Sequence, residues 1–402
     1  MMFKEAVRIA EKCKKIFPKI PIIYGGIHPT VDPDGIAEKD CFDAWCIGEG
    51  EEAFIEFLAR IENGSDYTDV ENFCFKTENG IIKNKCRPPI AELDSLPFSD
   101  LLATDFENTD DYRIFKRFPI MAARGCAFDC EFCCNNAYKK IYGNSYYRFR
   151  SPEHICKEIV EVIKKYPNIE YIQFQNDIFF PNIEWLERFE KIYNRDVKLP
   201  LSLLMASSQI NKKSIKILKK LPIKEVFTGI ETNLRLFDII GKKGKNKIDS
   251  IKSLILLKES GINIATFNMM GIPGELGNDI YKSVVLNSII EPCMIQLSYL
   301  YSFPSTKVFE KFRDLISNRK YTNYFQGSVF KKRFLNSHLR FYFINFIAFI
   351  EIFINLKKRN NFTLFFLFRL IFKDKIPLSI KRLLLHFFKK LYREKQIFNV
   401  RF

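Results

Sequence analysis

The sequence lacks the features that mark a secreted or membrane-spanning chain. Residues 1–20 alternate charged and apolar side chains, so they contain no uninterrupted apolar core of a signal peptide. Eight of the eleven cysteines are scattered without regular spacing, which argues against a disulfide framework. The longest apolar run, 341–356, would form a helix of about 24 Å, short of the roughly 30 Å hydrocarbon core of a bilayer. We therefore expect a cytoplasmic chain with reduced thiols.

The positive charge is concentrated at one end of the chain. Residues 331–402 contain 17 Lys or Arg and three acids, so they account for +14 of the net charge of +16. A cationic, Phe-rich helical region is typical of peripheral contact with the inner face of an anionic membrane. A helical domain packed on the rest of the protein with a solvated basic face is the alternative. Nucleic acid, whose phosphates also suit a basic patch, is the weaker prediction.

The first 118 residues predict a small α/β region followed by a connector. Apolar strands that end in glycine and alternate with helices are typical of parallel α/β structure. We assign 1–65 to a half-domain of Rossmann-like type and 66–118 to a linker, in which Asn79-Gly80 predicts a β-hairpin turn. The expected elements are helices at 3–17 and 51–61 and strands at 20–24 and 42–47.

From residue 119 the pattern becomes a repeat of strands and helices, which we assign to a domain at 119–320, with a basic helical region at 321–402. Six such repeats predict a parallel sheet, either a barrel or an open doubly wound sheet. Strands are expected at 119–123, 171–175, 201–205, 225–230, 262–270 and 294–300. Helices are expected near 152–166, 183–194, 211–220, 246–260, 278–290 and 305–317.

A cysteine loop follows the first of these strands. Cys126, Cys130 and Cys133 stand at spacings of four and three, which lets three thiolates of one loop reach one metal centre. Iron–sulfur clusters are more commonly held by four cysteines, so three would leave one iron open. A partial zinc site and unrelated core thiols are the alternatives. Cys134 would need a partner at position 137, where Ala137 stands, so it is not counted as a ligand.

With Phe132 placed just before the third cysteine, the loop resembles the Cys-x3-Cys-x-aromatic-Cys signature of the radical S-adenosylmethionine (SAM) superfamily. The resemblance implies a partial (β/α)6 TIM-like barrel and a [4Fe-4S] cluster whose open iron chelates SAM. It further implies cleavage of SAM to a 5′-deoxyadenosyl radical under anaerobic conditions, with an electron donor such as flavodoxin or ferredoxin. Phe132 is implied to line the adenine pocket.

A second resemblance lies in the half-domain. Gly25-Gly26-Ile27-His28-Pro29-Thr30, followed by Gly48-Glu49-Gly50-Glu51, resembles the C-terminal half of the cobalamin-binding domain that precedes many radical SAM domains. The Asp-x-His-x-x-Gly loop of that domain, whose histidine ligates cobalt, does not occur in this sequence. We therefore expect a truncated domain and regard cobalamin binding as doubtful. His28 is interpreted as a loop residue, because it lies outside that motif.

The radical SAM resemblance also assigns roles at later strand ends. Asp177, next to Asn176 where the family has a second acid, is implied to bind the SAM ammonium or substrate; a helix N-cap is the alternative. Glu231 is implied to bind the SAM ribose, with a surface residue at a helix start as the alternative. Gly271 and Gly274 are implied to pack against adenine, although they would equally make a tight turn. No residue is assigned a catalytic role.

Together these features predict a radical SAM enzyme, of the type with a cobalamin-binding domain, that methylates or rearranges an unidentified, apolar small molecule. One alternative is a methylthiotransferase-like RNA modification enzyme, which would need a further three-cysteine domain and an RNA-binding β-barrel. The other alternative is a non-catalytic metal-binding adaptor at a membrane. The sequence leaves the substrate open.

Overall fold

The computed structural model describes residues 3–244, 247–317, 328–359 and 362–391. The helices, in chain order, are α1 (Phe3–Ile16), α2 (Ile27–Val31), α3 (Pro33–Ala37), α4 (Glu51–Glu62), α5 (Asp110–Arg113), α6 (Asn135–Tyr142), α7 (Pro152–Lys165), α8 (Ile183–Asp196), α9 (Lys212–Leu218), α10 (Leu234–Ile239), α11 (Lys247–Glu259), α12 (Gly277–Ile290), α13 (Lys307–Phe312), α14 (Leu339–Arg359), α15 (Phe362–Leu370) and α16 (Leu378–Leu391). The strands are β1 (Ile23–Tyr24), β2 (Ala44–Cys46), β3 (Phe73–Thr77), β4 (Gly80–Lys83), β5 (Arg117–Ile120), β6 (Ala123–Arg124), β7 (Arg148–Phe149), β8 (Tyr171–Phe174), β9 (Leu201–Leu204), β10 (Ile223–Glu231), β11 (Ile264–Met270) and β12 (Met294–Tyr299).

The chain forms two compact units, each built from separate stretches of sequence. The first unit comprises the described residues within 1–93, 125–148 and 301–329, and the second those within 94–124, 149–300 and 330–402. The cysteine loop therefore belongs to the same unit as the N-terminal α/β residues, although it directly follows strands of the second unit in the chain. The predicted domain boundary at 320 lies outside the described residues.

A four-stranded sheet organises the first unit, with its strands in the order β1-β2-β3-β4. β1 and β2 are parallel, whereas β3 and β4 form the antiparallel hairpin predicted at Asn79-Gly80. Trp45, Phe57 and Phe73 are buried beside this sheet. The two short helices α2 and α3 were not predicted, because their prolines interrupt the helical pattern. Asp32 begins α3 by accepting a hydrogen bond from Gly35 N (3.2 Å).

A parallel six-stranded sheet organises the second unit, and it confirms the six predicted strands. The order is β5-β8-β9-β10-β11-β12, so neighbours in the sheet follow one another in the chain. A doubly wound sheet reverses its strand order at a switch point, whereas this sheet does not. The curled sheet is that of a partial TIM-like barrel. Its buried strand residues pack with α7, α8, α9 and α11 into one apolar core.

Local capping fixes where the barrel helices begin. Ser151 precedes Pro152 and accepts a hydrogen bond from His154 N (3.1 Å), which confirms the helix start expected from Ser-Pro at this position. Asn182 caps α8 in the same way, through Trp185 N at 2.8 Å. These caps set the lengths of the loops that connect the carboxyl end of each strand to its helix.

The C-terminal helices complete the core of the second unit. Tyr342, Phe346 and Phe349 of α14 are buried in a cluster that includes Ile280 of α12 and Tyr299 of β12. α15 and α16 add Phe368 and Phe388 to the same cluster. The helical tail is thus a packed layer over the last strand and helix of the half barrel.

One helix of the described residues could cross a membrane by length and composition alone, and it is α14 at 339–358. The helix has 21 residues rather than the 16 of the apolar run, or about 31 Å. The helix is therefore longer than the 24 Å expected from the apolar run, although one helix of this length and composition is weak evidence for a span. Of its apolar window 44% is buried, and Tyr342, Phe346 and Phe349 of this helix lie in the apolar cluster of the second unit.

The packing of α14 predicts a large difference between two identical substitutions. Ile350 is fully buried in the apolar cluster, whereas Ile344 on the same helix is 67% exposed. Ile350→Ala should lower the free energy of unfolding by about 2–5 kcal/mol, because it leaves a cavity. Ile344→Ala should change it by about 0.5 kcal/mol or less. Chemical unfolding followed by circular dichroism tests this, and equal effects would show that α14 is not a core helix.

Candidate functional site

Backbone hydrogen bonds and one asparagine shape the cysteine loop. Cys133 N donates to Cys130 O (3.0 Å), and Asn136 Nδ2 donates to both Cys130 O (2.6 Å) and Cys133 O (2.9 Å). Gly125 opens the loop with a φ of +84°, and a side chain there would overlap Tyr146. Asn136, buried at the start of α6, therefore closes the turn that holds the second and third cysteines.

The chemistry of the loop suits an iron–sulfur cluster. Cys126, Cys130 and Cys133 are each half-buried in one eight-residue stretch, and thiolates are the ligands of such clusters. Among the described residues no three His, Cys, Asp or Glu side chains are arranged to hold a metal ion. The assignment of these three ligands thus depends on their spacing and on the shape of the loop. Cys134 occupies the N-cap position of α6.

Contacts inside the first unit connect the helix after the cysteine loop to the Gly48–Gly50 turn. Glu49 N donates to Tyr142 Oη (2.7 Å), and the Glu49 carboxylate pairs with Arg148, with both side chains almost buried. Gly48 has a φ of +79°, and a side chain at this position would overlap the Tyr142 hydroxyl. The acidic turn and the segment that carries the cysteines are therefore held as one body.

The two glycine turns of this unit are joined by Thr30. Its hydroxyl donates to Gly26 O (3.3 Å) and accepts from Gly48 N (2.9 Å). At Gly25 and Gly26, no atom of the described residues, apart from the glycine and its chain neighbours, lies within 4 Å of the position that a Cβ would occupy, so this backbone after β1 has room for a ligand. His28 lies on α2 rather than in a loop and packs edge-on against Phe3, with ring centroids 4.2 Å apart.

In the second unit Glu231 occupies a strained position at the end of β10. Its φ is +64°, and the register with β11 shifts between Gly229 and Glu231. Its carboxylate is nearly buried and pairs with Lys242. α10 begins only at Leu234 and is capped by Asn233, so the alternative of a surface residue at a helix start is wrong for Glu231.

A buried lysine accompanies Glu231. Lys247 Nζ donates to Thr232 O and lies 4.6 Å from the centroid of the Phe237 ring. Burial lowers the pKa of Lys247 to about 7, and the neighbouring Glu231 opposes this shift. The end of β10 therefore collects one carboxylate and two lysines in a poorly hydrated place, where a polar ligand would interact strongly.

The Gly271–Glu275 segment after β11 is a turn closed by its own acid. The Glu275 carboxyl is buried and accepts a hydrogen bond from Gly271 N (2.7 Å). Burial raises the pKa of Glu275 to about 8. Gly274 N donates to Phe334 O (3.1 Å), and Arg235 Nη2 donates to Gly274 O (2.9 Å). The tight-turn interpretation is confirmed, and the rigid backbone is compatible with packing against a flat ring.

Asn176 and Asp177 have different surroundings after β8. Asn176 is buried, accepts a hydrogen bond from Ala122 N (3.1 Å) and donates to Ile178 O (2.8 Å). Asp177 is exposed. It stands six residues before α8, whose cap is Asn182, so the N-cap alternative for Asp177 is wrong. Asn176 thus has a structural role, and Asp177 is a candidate for contact with a ligand.

The candidate residues divide between the two units. The three cysteines and the half-buried Phe132 belong to the first unit. The second unit places the other candidates after the carboxyl ends of parallel strands, where ligands bind in such folds. These candidates are Asp177 after β8, Glu231 at the end of β10, and Gly271 and Gly274 after β11.

Several residues at these sites were not predicted from the sequence. Asn136 is three positions after Cys133, so its contact with the loop could have been anticipated from the helix start. Arg148 could have been sought as a cation for the acidic Gly48–Gly50 turn, but it is 99 positions away from Glu49. Lys242 and Lys247 lie in a lysine-rich stretch that has no distinctive spacing.

Comparisons with known proteins agree with this architecture. Residues 120–286 match the family model described as the Radical SAM superfamily, and residues 2–58 match the B12 binding domain. The uncharacterized methyltransferase PH0819 of Pyrococcus horikoshii is 25% identical over 312 residues, which cover 76% of this chain and 66% of that protein. The anaerobic magnesium-protoporphyrin IX monomethyl ester cyclase of Rubrivivax gelatinosus is 24% identical over 322 residues, covering 78% and 57%.

A solved structure shares the fold over almost the whole chain. The cobalamin-dependent SAM radical enzyme OxsB, with aqua-cobalamin and SAM bound, superposes with a TM-score of 0.65 at 15% identity and covers 98% of this chain and 61% of that one. The chain spans 57–66% of the length of the two curated relatives.

The half barrel is an α/β architecture of TIM-like type, and the candidate ligand residues follow its strands. The chain carries a domain that matches the Radical SAM superfamily, and the residues ahead of it match a B12 binding domain. This confirms both resemblances that the sequence motifs predicted. It also revises the expectation about cobalamin, because residues 2–58 match the B12-binding domain despite the missing Asp-x-His-x-x-Gly loop.

The buried carboxyl of Glu275 predicts a specific pH dependence of stability. Its pKa is higher in the folded than in the unfolded chain, so the folded state binds the extra proton, and its contribution to stability is lost as pH rises through about 8. Glu275→Gln mimics the protonated form. Between the unfolded pKa of about 4.5 and the folded pKa of about 8, the stability of Glu275→Gln relative to the wild type should rise with pH. The rise should be up to about 1.4 kcal/mol per pH unit.

Chemical unfolding at several pH values measures this difference. Glu161→Gln, which removes one exposed carboxyl from α7 in the same unit, is the matched control. A pH-independent difference between the wild type and Glu275→Gln would contradict the raised pKa.

Proposed function

We propose that this chain is a radical SAM enzyme that uses cobalamin to methylate a small, apolar molecule. The observation that carries the proposal is the Cys126–Cys133 loop, which follows the first strand of a parallel half barrel within the matched residues 120–286. The methyltransferase relative supports methyl transfer as the reaction.

The cysteine loop would hold the cluster through Cys126, Cys130 and Cys133. When bound, the [4Fe-4S] cluster supplies the low-potential electron that cleaves SAM, and cobalamin carries the transferred methyl group. The role of the protein in this step is to hold the three cysteine ligands in position. Asn136 holds the carbonyls of Cys130 and Cys133, which keeps the backbone of the loop in one conformation before the cluster arrives.

The strand ends of the second unit would bind SAM. The Glu231 carboxylate would accept hydrogen bonds from the ribose hydroxyls, but it already pairs with Lys242. A bound ribose would therefore share or displace that lysine. The Gly271–Glu275 turn would present its backbone to adenine, and Glu275 keeps this turn rigid from behind. Asp177 would bind the SAM ammonium or a polar group of the substrate.

The glycine turns of the first unit would approach cobalamin. The open backbone at Gly25 and Gly26 gives the space that a large planar ligand needs, and Thr30 fixes it relative to the Gly48–Gly50 turn. The Glu49–Arg148 pair joins this turn to the segment that carries the cysteines. Cobalamin and cluster ligands would thus be supported by one compact unit.

Ring closure is the second candidate reaction, because the relative from Rubrivivax gelatinosus, at 24% identity, is an anaerobic magnesium-protoporphyrin IX monomethyl ester cyclase. The two reactions leave different products from SAM. Methyl transfer from SAM must leave S-adenosylhomocysteine, whereas a radical ring closure requires only 5′-deoxyadenosine. RNA methylthiolation and a non-catalytic adaptor are less favoured, since the family match and the relatives support neither. A small-molecule substrate, a flavodoxin- or ferredoxin-like reductant and a cytoplasmic location stay predictions.

Anaerobic reconstitution with iron and sulfide tests the cluster assignment. The wild type should gain the visible absorbance of a [4Fe-4S] cluster and release 5′-deoxyadenosine from SAM with a reductant. Cys126→Ala should lose both, because two thiolates remain. Cys134→Ala, one residue beyond the third ligand, should keep both. Equal loss in the two variants, or one tightly bound zinc in the wild type, would contradict the assignment.

Asn136→Ala tests the role of the loop conformation. The variant loses both hydrogen bonds to the loop carbonyls, so it should retain less iron after reconstitution and release it faster to a chelator, by about tenfold. Asn144→Ala changes an exposed asparagine just beyond α6 and should behave as the wild type. Wild-type iron retention in Asn136→Ala would show that the loop does not need this contact.

A further inference from the structure

A cationic groove of about 510 Å³ lies between α14 and α16 in the second unit. It is distant in sequence from every residue assigned to SAM or to the cluster. The basic side chains that line it are His338, Arg340, Arg382, His386 and Lys389. Among the described residues no acid lines the groove, so its permanent charges are positive and would favour an anionic ligand.

Apolar side chains share the same groove. Phe341, Leu378 and Leu385 line it, together with Ile344, which is 67% exposed. A ligand that satisfies both sets of side chains needs a negatively charged group joined to an apolar body. A free inorganic anion or a nucleic acid backbone would leave the apolar part in water.

A second apolar surface lies on another face of α16. Ile380, Leu383, Phe387 and Leu391 follow one another at spacings of three and four residues and are 38–69% exposed. The side of α16 that faces the core is different and consists of Lys381, Leu385 and Phe388. The helix is therefore anchored on one side and exposes apolar and cationic residues on the others, as interfacial helices do.

The groove is held in a fixed shape by a buried lysine. Lys381 is fully buried; its Nζ donates to Tyr342 Oη (2.6 Å) and lies 3.0 Å from His338 Nδ1. Burial lowers the pKa of Lys381 to about 8 and also lowers the pKa of His338. Lys389 is positioned by Asn345 Oδ1 at 3.0 Å. The site is thus built on the core of the unit rather than on a loose tail.

We propose that α16 and this groove form a docking site for an anionic phospholipid membrane. The groove takes lipid phosphate groups through Arg340, Arg382 and Lys389, and the exposed apolar row of α16 enters the boundary of the acyl chains. Charge complementarity supports this occupant, because residues 331–402 carry +14 of the net charge of +16. The docking site is independent of the proposed reaction, and it would bring an apolar substrate and the enzyme to one surface.

Co-sedimentation of the full chain with vesicles tests the proposal. The wild type should bind vesicles of phosphatidylcholine with phosphatidylglycerol, and much less those of phosphatidylcholine alone. The double variant Arg382→Gln/Lys389→Gln should bind the anionic vesicles at least about tenfold more weakly. Lys212→Gln/Lys213→Gln on α9 makes the same change in net charge away from the groove and should bind as the wild type does.

A second variant separates insertion from simple attraction of charge. Leu383→Ser/Phe387→Ser keeps the charge, alters only exposed side chains and should also lose vesicle binding; circular dichroism checks that each variant is folded. Failure of the wild type to bind, equal loss in the Lys212/Lys213 control, or no effect of the serine variant would overturn the proposal. Tighter binding of glycerol 3-phosphate or duplex DNA than of vesicles would also overturn it, and would assign the groove to a soluble phosphate or to nucleic acid.

Discussion

The burial of a six-stranded parallel sheet is the constraint on which the rest of the second unit depends. Parallel strands cannot be joined by tight turns, so each needs a helical crossover, and every loop after a strand opens at the same edge. This requirement places Asp177, Glu231 and Gly271 at that edge although 94 positions separate the first from the last. It also leaves the apolar faces of β12 and α12 without a further repeat to pack against. Tyr342, Phe346 and Phe349 of α14 pack there instead.

The strands and helices of the barrel could be predicted because each is specified locally. Three of the four residues of Leu201–Leu204 are leucine, as is typical of a strand buried on both faces, and Ser151-Pro152 encodes a helix start in two residues. The strand order, which decides between a barrel and a doubly wound sheet, depends on packing between distant segments. Periodicity could not provide it; the family resemblance implied the barrel, and the structure shows the strand order.

The candidate site was predictable as a set of motifs but not as a set of contacts. The cysteine spacing identifies the loop, whereas Asn136 is recognised only once the turn is folded and its carbonyls point towards the side chain. Glu231 illustrates the same limit: the resemblance assigned it to the cofactor and a helix start was the alternative, but neither predicted the positive φ and the pairing with Lys242. Ion pairs between distant residues, such as Glu49 and Arg148, cannot be predicted from the spacing of neighbouring residues in the sequence.

Three buried ionisable residues lie beside the candidate ligand sites. An ionised group is costly to bury unless partners compensate, and Lys247, Glu275 and Lys381 each have a pKa shifted towards the neutral form. All three donate to or accept from neighbouring groups beside a candidate ligand site: the end of β10, the turn after β11 and the cationic groove. Lys247, Glu275 and Lys381 would keep the backbone of each site in one conformation when a ligand displaces water from the exposed side chains around it.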